Sequence, residues 1–218
     1  MVACNCTSAR PSWSFPAGKS DPQCGQKREM AMAHRVCPWW IGYLLASPIR
    51  RWVENPEEIL TPYIREGMTV LEPGPGMGFF TIPMARMVGP SGRVVALDIQ
   101  QRMLEGLRRR AAKAGVISRI ETRLAQPDSL GVEDLRAKVD VVLAFAVVHE
   151  MPCAEMFFRE VAGTLKPDGR VLFAEPEGHV NPKKFAEETS AASLAGLEEA
   201  TRLAVKRSHA VLLRKKAA

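Results

Sequence analysis

The chain contains no run of about 18 apolar residues, the minimum for a helix that crosses a bilayer. No transmembrane span is predicted, and the strongly apolar Val139–Val148 is short enough to be a buried parallel strand. A secretory pattern is also missing, since MVACNCTSARPSWSF has neither a basic start nor an apolar core. A cytoplasmic protein is therefore expected. The five cysteines (Cys4, Cys6, Cys24, Cys37 and Cys153) are odd in number, which argues against a disulfide framework. Cys4-x-Cys6 has no second well-spaced pair, so no structural zinc site is expected. The net charge of +6 permits acidic partners. Its basic residues, however, are dispersed over Arg50–Arg51, Arg108–Arg110 and Arg214–Lys216 without interleaved aromatics. They read as solvated faces and a charged tail, and no nucleic-acid partner is expected.

Pattern is absent at the start and then abundant. Residues 1–31 are rich in Ser, Pro, Gly, Lys and Arg without apolar periodicity. They are expected to be a disordered extension, with Met32 as the functional start. Residues 32–55 form a different segment, in which Trp39, Trp40, Tyr43, Leu44, Leu45, Ile49 and Trp52 give an aromatic amphipathic pattern interrupted at Pro48. It reads equally as helices packed on a core or as a lid over a pocket.

The rest of the chain, residues 56–218, is organised around VLEPGPGMGFFT at Val70–Thr81. A hydrophobic strand ends in Glu72, Gly74, Gly76 and Gly78 follow at every second position, and a helix is expected from near Phe79. Glycine permits a tight turn on which a ligand can lie, and a helix start adds free N–H groups. Helices are expected over Pro56–Arg65, Phe79–Val88, Gln100–Ala114, Cys153–Leu165 and Asn181–Ala195, with a short one over Val132–Arg136. Strands are expected over Met68–Glu72, Arg93–Asp98, Ile120–Leu124, Val139–Phe145, Arg170–Glu175, Gly196–Ala200 and Ser208–Arg214. A turn is expected at Lys166–Gly169. Alternating strands and helices predict an α/β fold: a doubly wound, mostly parallel, seven-stranded sheet closed by an antiparallel C-terminal hairpin.

Such sheets bind ligands at the carboxyl ends of their strands. In order, those ends carry Glu72 and the glycines; Asp98; Gln126 and Asp128; Phe145, Ala146, His149 and Glu150; and Glu175, Glu177 and His179. Asp98 closes a hydrophobic strand about 20 residues beyond the glycine turn, where a carboxylate can accept hydrogen bonds from two ribose hydroxyls.

Glu72-x-Gly74-x-Gly76-x-Gly78 together with Asp98 resembles the class I S-adenosylmethionine-dependent methyltransferases, over roughly residues 56–216. VDVVLAFAVVHEMP at Val139–Pro152 is similar to that family's fourth motif, and LKPDGRVLFAE at Leu165–Glu175 to its following turn and fifth strand. The resemblance implies a Rossmann-like fold and S-adenosyl-L-methionine as cofactor. It implies that Glu72 helps place the methionine ammonium, that Gly74, Gly76 and Gly78 let the cofactor approach the backbone, and that Asp98 holds the ribose. Ile99 packs against adenine in this picture, Asp128 or Gln126 meets its amino group, and Phe145 and Ala146 lie near the methyl group. Pro73 and Pro75 depart from the usual motif without removing a glycine. A dinucleotide-binding dehydrogenase would need G-x-G-x-x-G and does not suit the closing hairpin.

The glycine and HEMP regions are most similar to the ubiquinone and menaquinone methyltransferase group, which implies a small-molecule acceptor. AFAVVHEMP lacks the Asn/Asp-Pro-Pro-Tyr type of motif expected for methylation of base amines. Methyl transfer needs in-line placement and, for some acceptors, a base. His149, Glu150 and His179 are the candidate catalytic residues. A monomer or homodimer is expected, with no bound metal. Two alternatives stand beside this reading: a cofactor-binding module without transferase activity, or a metal- or metalloid-linked methyltransferase using Cys37, with His34 nearby.

Overall fold

The computed structural model describes residues 54–216. The expected extension over residues 1–31, the start at Met32, His34, Cys37 and all of the proposed lid except Glu54 and Asn55 lie outside the described residues.

The described chain begins with α1 (Pro56–Leu60), capped by Asn55, whose Oδ1 accepts a hydrogen bond from the Glu57 amide. It ends five residues before the expected Arg65, because Pro62 has no N–H to continue the helix and Thr61 instead donates to the Glu57 carbonyl at 2.6 Å. There follow β1 (Thr69–Pro73), α2 (Thr81–Met87), β2 (Arg93–Asp98), α3 (Gln101–Lys113), β3 (Ile120–Leu124) and β4 (Val139–Phe145). The chain is completed by α4 (Ala154–Thr164), β5 (Leu165–Pro176), α5 (Pro182–Leu194), β6 (Leu197–Arg202) and β7 (Ser208–Lys215). The expected helix over Val132–Arg136 is a single 3₁₀ turn at Glu133–Leu135.

The sheet has the order β3-β2-β1-β4-β5-β7-β6. Its first five strands are parallel neighbours, and β7 runs antiparallel between β5 and β6. The expected α/β sheet with an antiparallel C-terminal hairpin is the sheet observed. The ends of β1, β6 and β7 shift by one or two residues, and the larger difference is at β5: Lys166–Gly169 does not precede it but bulges out of it. Val139 pairs with Leu165 and Val141 with Arg170, so the intervening residues of β5 loop away from the ladder. Lys166 Nζ holds this bulge to Asp140 at 2.6 Å.

Both faces of the sheet are covered, which is why its strands are nearly continuous apolar runs. Alternate residues feed two cores. Leu71, Val95, Val142, Phe173 and Val211 pack with Phe158, Val161 and Ala192 from α4 and α5. Val70, Val94, Val141, Leu172 and Leu212 pack with Leu60, Met84, Ala85 and Ala111 from α1, α2 and α3. The winding reverses between β1 and β4, which lie side by side. A crevice opens at the carboxyl ends of the strands at such a switch point, and the functional residues collect there.

Candidate active site

A cavity of about 610 Å³ lies over this switch point, within the range of roughly 300–1,000 Å³ common for small-molecule sites. Its walls come from the loops after β1 to β5. They include Gly74 and Gly76, Asp98 and Ile99, Gln126 and Asp128, Phe145 and Ala146, His149 and Glu150, and His179.

The β1 loop is built as a cradle. Gly74, Gly76 and Gly78 all have positive φ, at 69°, 52° and 83°. Their surroundings differ. A Cβ on Gly76 would meet nothing within 4 Å, whereas one on Gly78 would come within 2.4 Å of Leu107 Cδ1. Gly76 therefore leaves room for a ligand, while Gly78 lets the loop close onto α3 and does not line the cavity. Arg110 of α3 fixes the loop by donating to the Met77 carbonyl at 2.5 Å. Helix α2 starts at Thr81, two residues later than expected, because turns occupy the chain up to Phe80.

Glu72 also lies off the wall, buried beneath the cradle. Thr81 Oγ1 donates to its Oε2 at 2.5 Å. Burial pushes the Glu72 carboxyl up to about 8, against the pull of Thr81 and with help from the charge of Asp98. Asp98 lies on the wall. It accepts from the Gln100 amide at 2.8 Å and from the amides of Gly76 and Ile99. Burial still raises it to about 6. The cradle thus places two carboxyl groups in a partly apolar setting, where they favour a ligand bearing hydroxyl or cationic donors.

The neighbouring walls complete this half of the site. Ile99 is exposed beside Asp98. Gln126 and Asp128 are exposed on a turn closed by hydrogen bonds between Gln126 and Ser129. Glu160 of α4, which the sequence patterns do not single out, pins this turn by accepting from Leu130 N at 2.8 Å and Ser129 Oγ at 3.2 Å. Phe145 packs on Phe80 with ring centroids 4.6 Å apart. Ala146 adopts φ 55° while its amide donates to the Ala174 carbonyl at 2.8 Å. A non-glycine residue in this region stores strain, of a kind that collects at functional sites.

The other half is organised by Glu175 at the end of β5. Its side chain is fully buried. Oε1 accepts from the amides of Val148 and His149 at 2.8 and 3.1 Å, and Oε2 meets His149 Nδ1 at 2.5 Å. One carboxylate therefore shapes the 3₁₀ turn Val148–Glu150 and aims the imidazole it carries. Burial pulls His149 down, but the hydrogen bond and charge of Glu175, with the charges of Glu150 and Glu188, outweigh it and leave His149 above its ordinary value. With Nδ1 engaged, Nε2 is the nitrogen left for a ligand. His179 lies edge-on to His149, with ring centroids 5.5 Å apart. At the sequence level Glu175 is one of several carboxylates at the sheet edge, and its aiming role depends on a contact 26 residues away along the chain. Cys153 also lies in the wall. Among the described residues no group of three or more His, Cys, Asp and Glu side chains is placed to hold a metal.

Comparison with known proteins agrees with this architecture. A family model described as a methyltransferase domain matches residues 64–209. The demethylmenaquinone methyltransferase of Lactobacillus johnsonii is 33% identical over 107 residues, which cover 49% of this chain and 43% of that protein. The arsenite methyltransferase of Halobacterium salinarum is 34% identical over 109 residues, covering 50% of this chain and 27% of that protein. The matches thus span less than half the length of these curated relatives. Among solved structures, a SAM-dependent methyltransferase from Aquifex aeolicus superposes with a TM-score of 0.73 at 22% identity, covering 82% of this chain and 98% of that one. The [4+2]-cyclase SpnF shares the fold at a TM-score of 0.58 and 18% identity, over 69% of this chain and 58% of that one. Since the family model spans well over half of the sequence, the chain belongs to the methyltransferase domain family, and its fold is that of the class I S-adenosylmethionine-dependent methyltransferases.

Proposed function

We propose that the protein transfers a methyl group from S-adenosyl-L-methionine to a small-molecule acceptor that carries a removable proton, with His149 as the base. One observation carries this reading: the His149–Glu175 pair and the Gly76–Asp98 cradle open onto the same cavity.

The residues present fit the cofactor. Gly76 leaves open the space that a Cβ would fill, and the raised carboxyl groups of Glu72 and Asp98 gain from donors brought to them. Gly74 and Gly76 would lie under the ligand, Asp98 would take its ribose, Ile99 and the Gln126–Asp128 turn would meet its base, and Phe145 and Ala146 would border its reactive end. The bound cofactor supplies an electrophilic methyl group. The chain's own task is to orient the acceptor, exclude water and accept a proton. His149 accepts that proton at Nε2 while Glu175 holds Nδ1 and stabilises the imidazolium. Burial of Glu175 keeps this contact dry. Glu150 and His179 flank the imidazole on the cavity wall, positioned to bind a polar group of the acceptor.

The relatives' printed names support a flat, apolar acceptor of the quinone kind. The wall agrees, with Phe79, Phe80, Met103, Phe145, Met156 and Phe157 along it. A cytoplasmic monomer or homodimer belongs to the same reading. Among the described residues no helix is long and apolar enough to cross a membrane.

The test is calorimetric titration with S-adenosylmethionine and its demethylated product, followed by turnover on reduced quinones, phenols, thiols and arsenite. Binding, together with turnover that His149→Ala lowers at unchanged cofactor affinity, supports the reading. Binding without turnover on any acceptor favours a non-transferring module, and turnover on arsenite alone favours a metalloid acceptor. No binding at millimolar cofactor defeats all three.

A further inference from the structure

Helix α5 turns one face to the sheet, and that face contains an anomaly. Phe185, Glu188 and Ala192 follow helical spacing. Phe185 stacks on Phe173 of β5, with ring centroids 5.0 Å apart, and Ala192 is fully buried in the core. Between them stands a carboxylic acid. Glu188 is 1% exposed, and among the described residues neither of its side-chain oxygens has a hydrogen-bond partner. Among the described residues its only ion-pair partner closer than 4 Å is Lys184 Nζ, at 3.8 Å from Oε1, on a half-exposed side chain. Burying a carboxyl group without hydrogen bonds is costly, and an apolar residue here would stabilise the packing. A group that destabilises its helix and makes no hydrogen bond acts through its electric field.

Geometry places that field behind the His149–Glu175 pair. Phe185, one turn before Glu188, stacks on Phe173, and Glu175 lies two residues further along β5 on the same face of the sheet; the charges of Glu188, Glu175 and His149 accordingly act on one another. Among the described residues the other charged or titratable groups around this cluster are Lys184 and Glu187 on its own helix, Glu150 and His179 beside His149, and His209 of β7, the register partner of Glu175. His209 also packs on Phe185, with ring centroids 5.4 Å apart.

We infer that Glu188 is a positioning residue of the active site: a second buried carboxyl behind Glu175 that, together with it, sets the proton affinity of His149. The inference rests on the reading of His149 as the base, but it concerns the ligand-free protein and is measurable there. An ionised Glu188 adds negative charge behind His149 and favours the imidazolium. A protonated Glu188 withdraws that help. Two carboxyls and one imidazole then titrate as a unit rather than one by one.

Histidine proton titration by nuclear magnetic resonance tests this without cofactor or acceptor, on a chain with only four histidines. Glu188→Gln keeps the volume and removes the charge. It is expected to lower the His149 midpoint by about half a unit or more, a roughly threefold loss of proton affinity. Glu188→Asp is expected to restore part of it, and His209 is expected to move less than His149. An unmoved His149 midpoint in a folded Glu188→Gln protein overturns the inference. A measurement on the unaltered chain covers a variant that does not fold. There, the Glu188 carboxyl carbon is expected to show an inflection at the His149 midpoint, and a single step in the ordinary glutamate range overturns the coupling. If His149 and Glu188 are coupled but His149→Ala leaves turnover intact, the base assignment fails while the coupling stands.

Discussion

Two glycines only two positions apart in sequence divide ligand binding from packing, for a Cβ meets open space at Gly76 and Leu107 at Gly78. Alanine at Gly76 adds a Cβ with nothing within 4 Å at a φ of 52°. Its stability cost is the left-handed backbone alone, about 1–2 kcal/mol, reduced by about 0.4–1 kcal/mol because alanine also restricts the unfolded chain. Gly78→Ala pays the same backbone cost at φ 83° and places Cβ 2.4 Å from Leu107 Cδ1. Leu107 is fully buried, so moving its Cδ1 aside disturbs the packed core and overpacking adds about 1–3 kcal/mol. Urea unfolding should therefore show Gly78→Ala destabilised by about 2–4 kcal/mol and Gly76→Ala by about 1 kcal/mol. Calorimetric affinity for S-adenosylmethionine should show the opposite order. Gly76→Ala fills the cavity floor and should weaken binding at least tenfold, about 1.4 kcal/mol, while folded Gly78→Ala should bind almost normally. Leu107→Ala should relieve part of the Gly78→Ala cost, so the double variant should be less damaged than the sum of the two. Equal loss of affinity in both alanine variants, or a larger stability loss at Gly76, refutes the assignment of these two positions.

Further expectations concern the charged groups. Asp98→Ala should weaken S-adenosylmethionine binding by about 1.5–3 kcal/mol, the loss expected for hydrogen bonds to a charged group, and unchanged calorimetric affinity would place the ribose elsewhere. Glu175→Gln should lower the His149 titration midpoint and its turnover, since an amide replaces the carboxylate at Nδ1; an unmoved midpoint would show that the pair is not charge-assisted. In the ligand-free protein Asp98, Glu188 and Glu72 are raised to about 6, 7 and 8 by burial, and His149 is raised as well. The folded state therefore holds these protons more tightly than the unfolded chain. Their stability contribution is complete below the ordinary carboxylate range and is lost as pH climbs through 6 to 8. Thermal unfolding should show Tm falling between pH 5 and 8.5, and saturating cofactor should blunt the fall. A Tm that rises across that window would contradict the burial of these groups.

Periodicity and punctuation made the fold legible. The strands β2, β3 and β4 have the boundaries that their apolar runs and flanking turns imply. Errors arose where local signals conflict with distant pairing. Lys166-Pro167-Asp168-Gly169 reads as a turn, yet Leu165 already pairs with Val139, so the turn becomes a bulge inside β5. For the site, the residues visible in sequence were those whose type is needed at a strand end, such as Gly76 and Asp98. Residues that act by long-range contact were not visible in that way. Glu160 acts through Leu130, 30 residues earlier, and Glu188 looks like any helical surface glutamate until the sheet covers it.

The adjacency of β1 and β4 has a consequence for how this protein can change. In the proposed function most of what cradles the cofactor comes from before Leu130, with Phe145 and Ala146 at its reactive end, and the residues around the base come from Val148 onward. The two groups meet across the β1–β4 pair, at the Phe80–Phe145 ring contact and where Glu160 pins the Gln126–Ser129 turn. Substitutions after β4 can therefore recut the acceptor chamber while leaving the cofactor grip intact. A library over residues 147–179 that keeps His149, Glu160 and Glu175 is the direct route to a new substrate range on this scaffold.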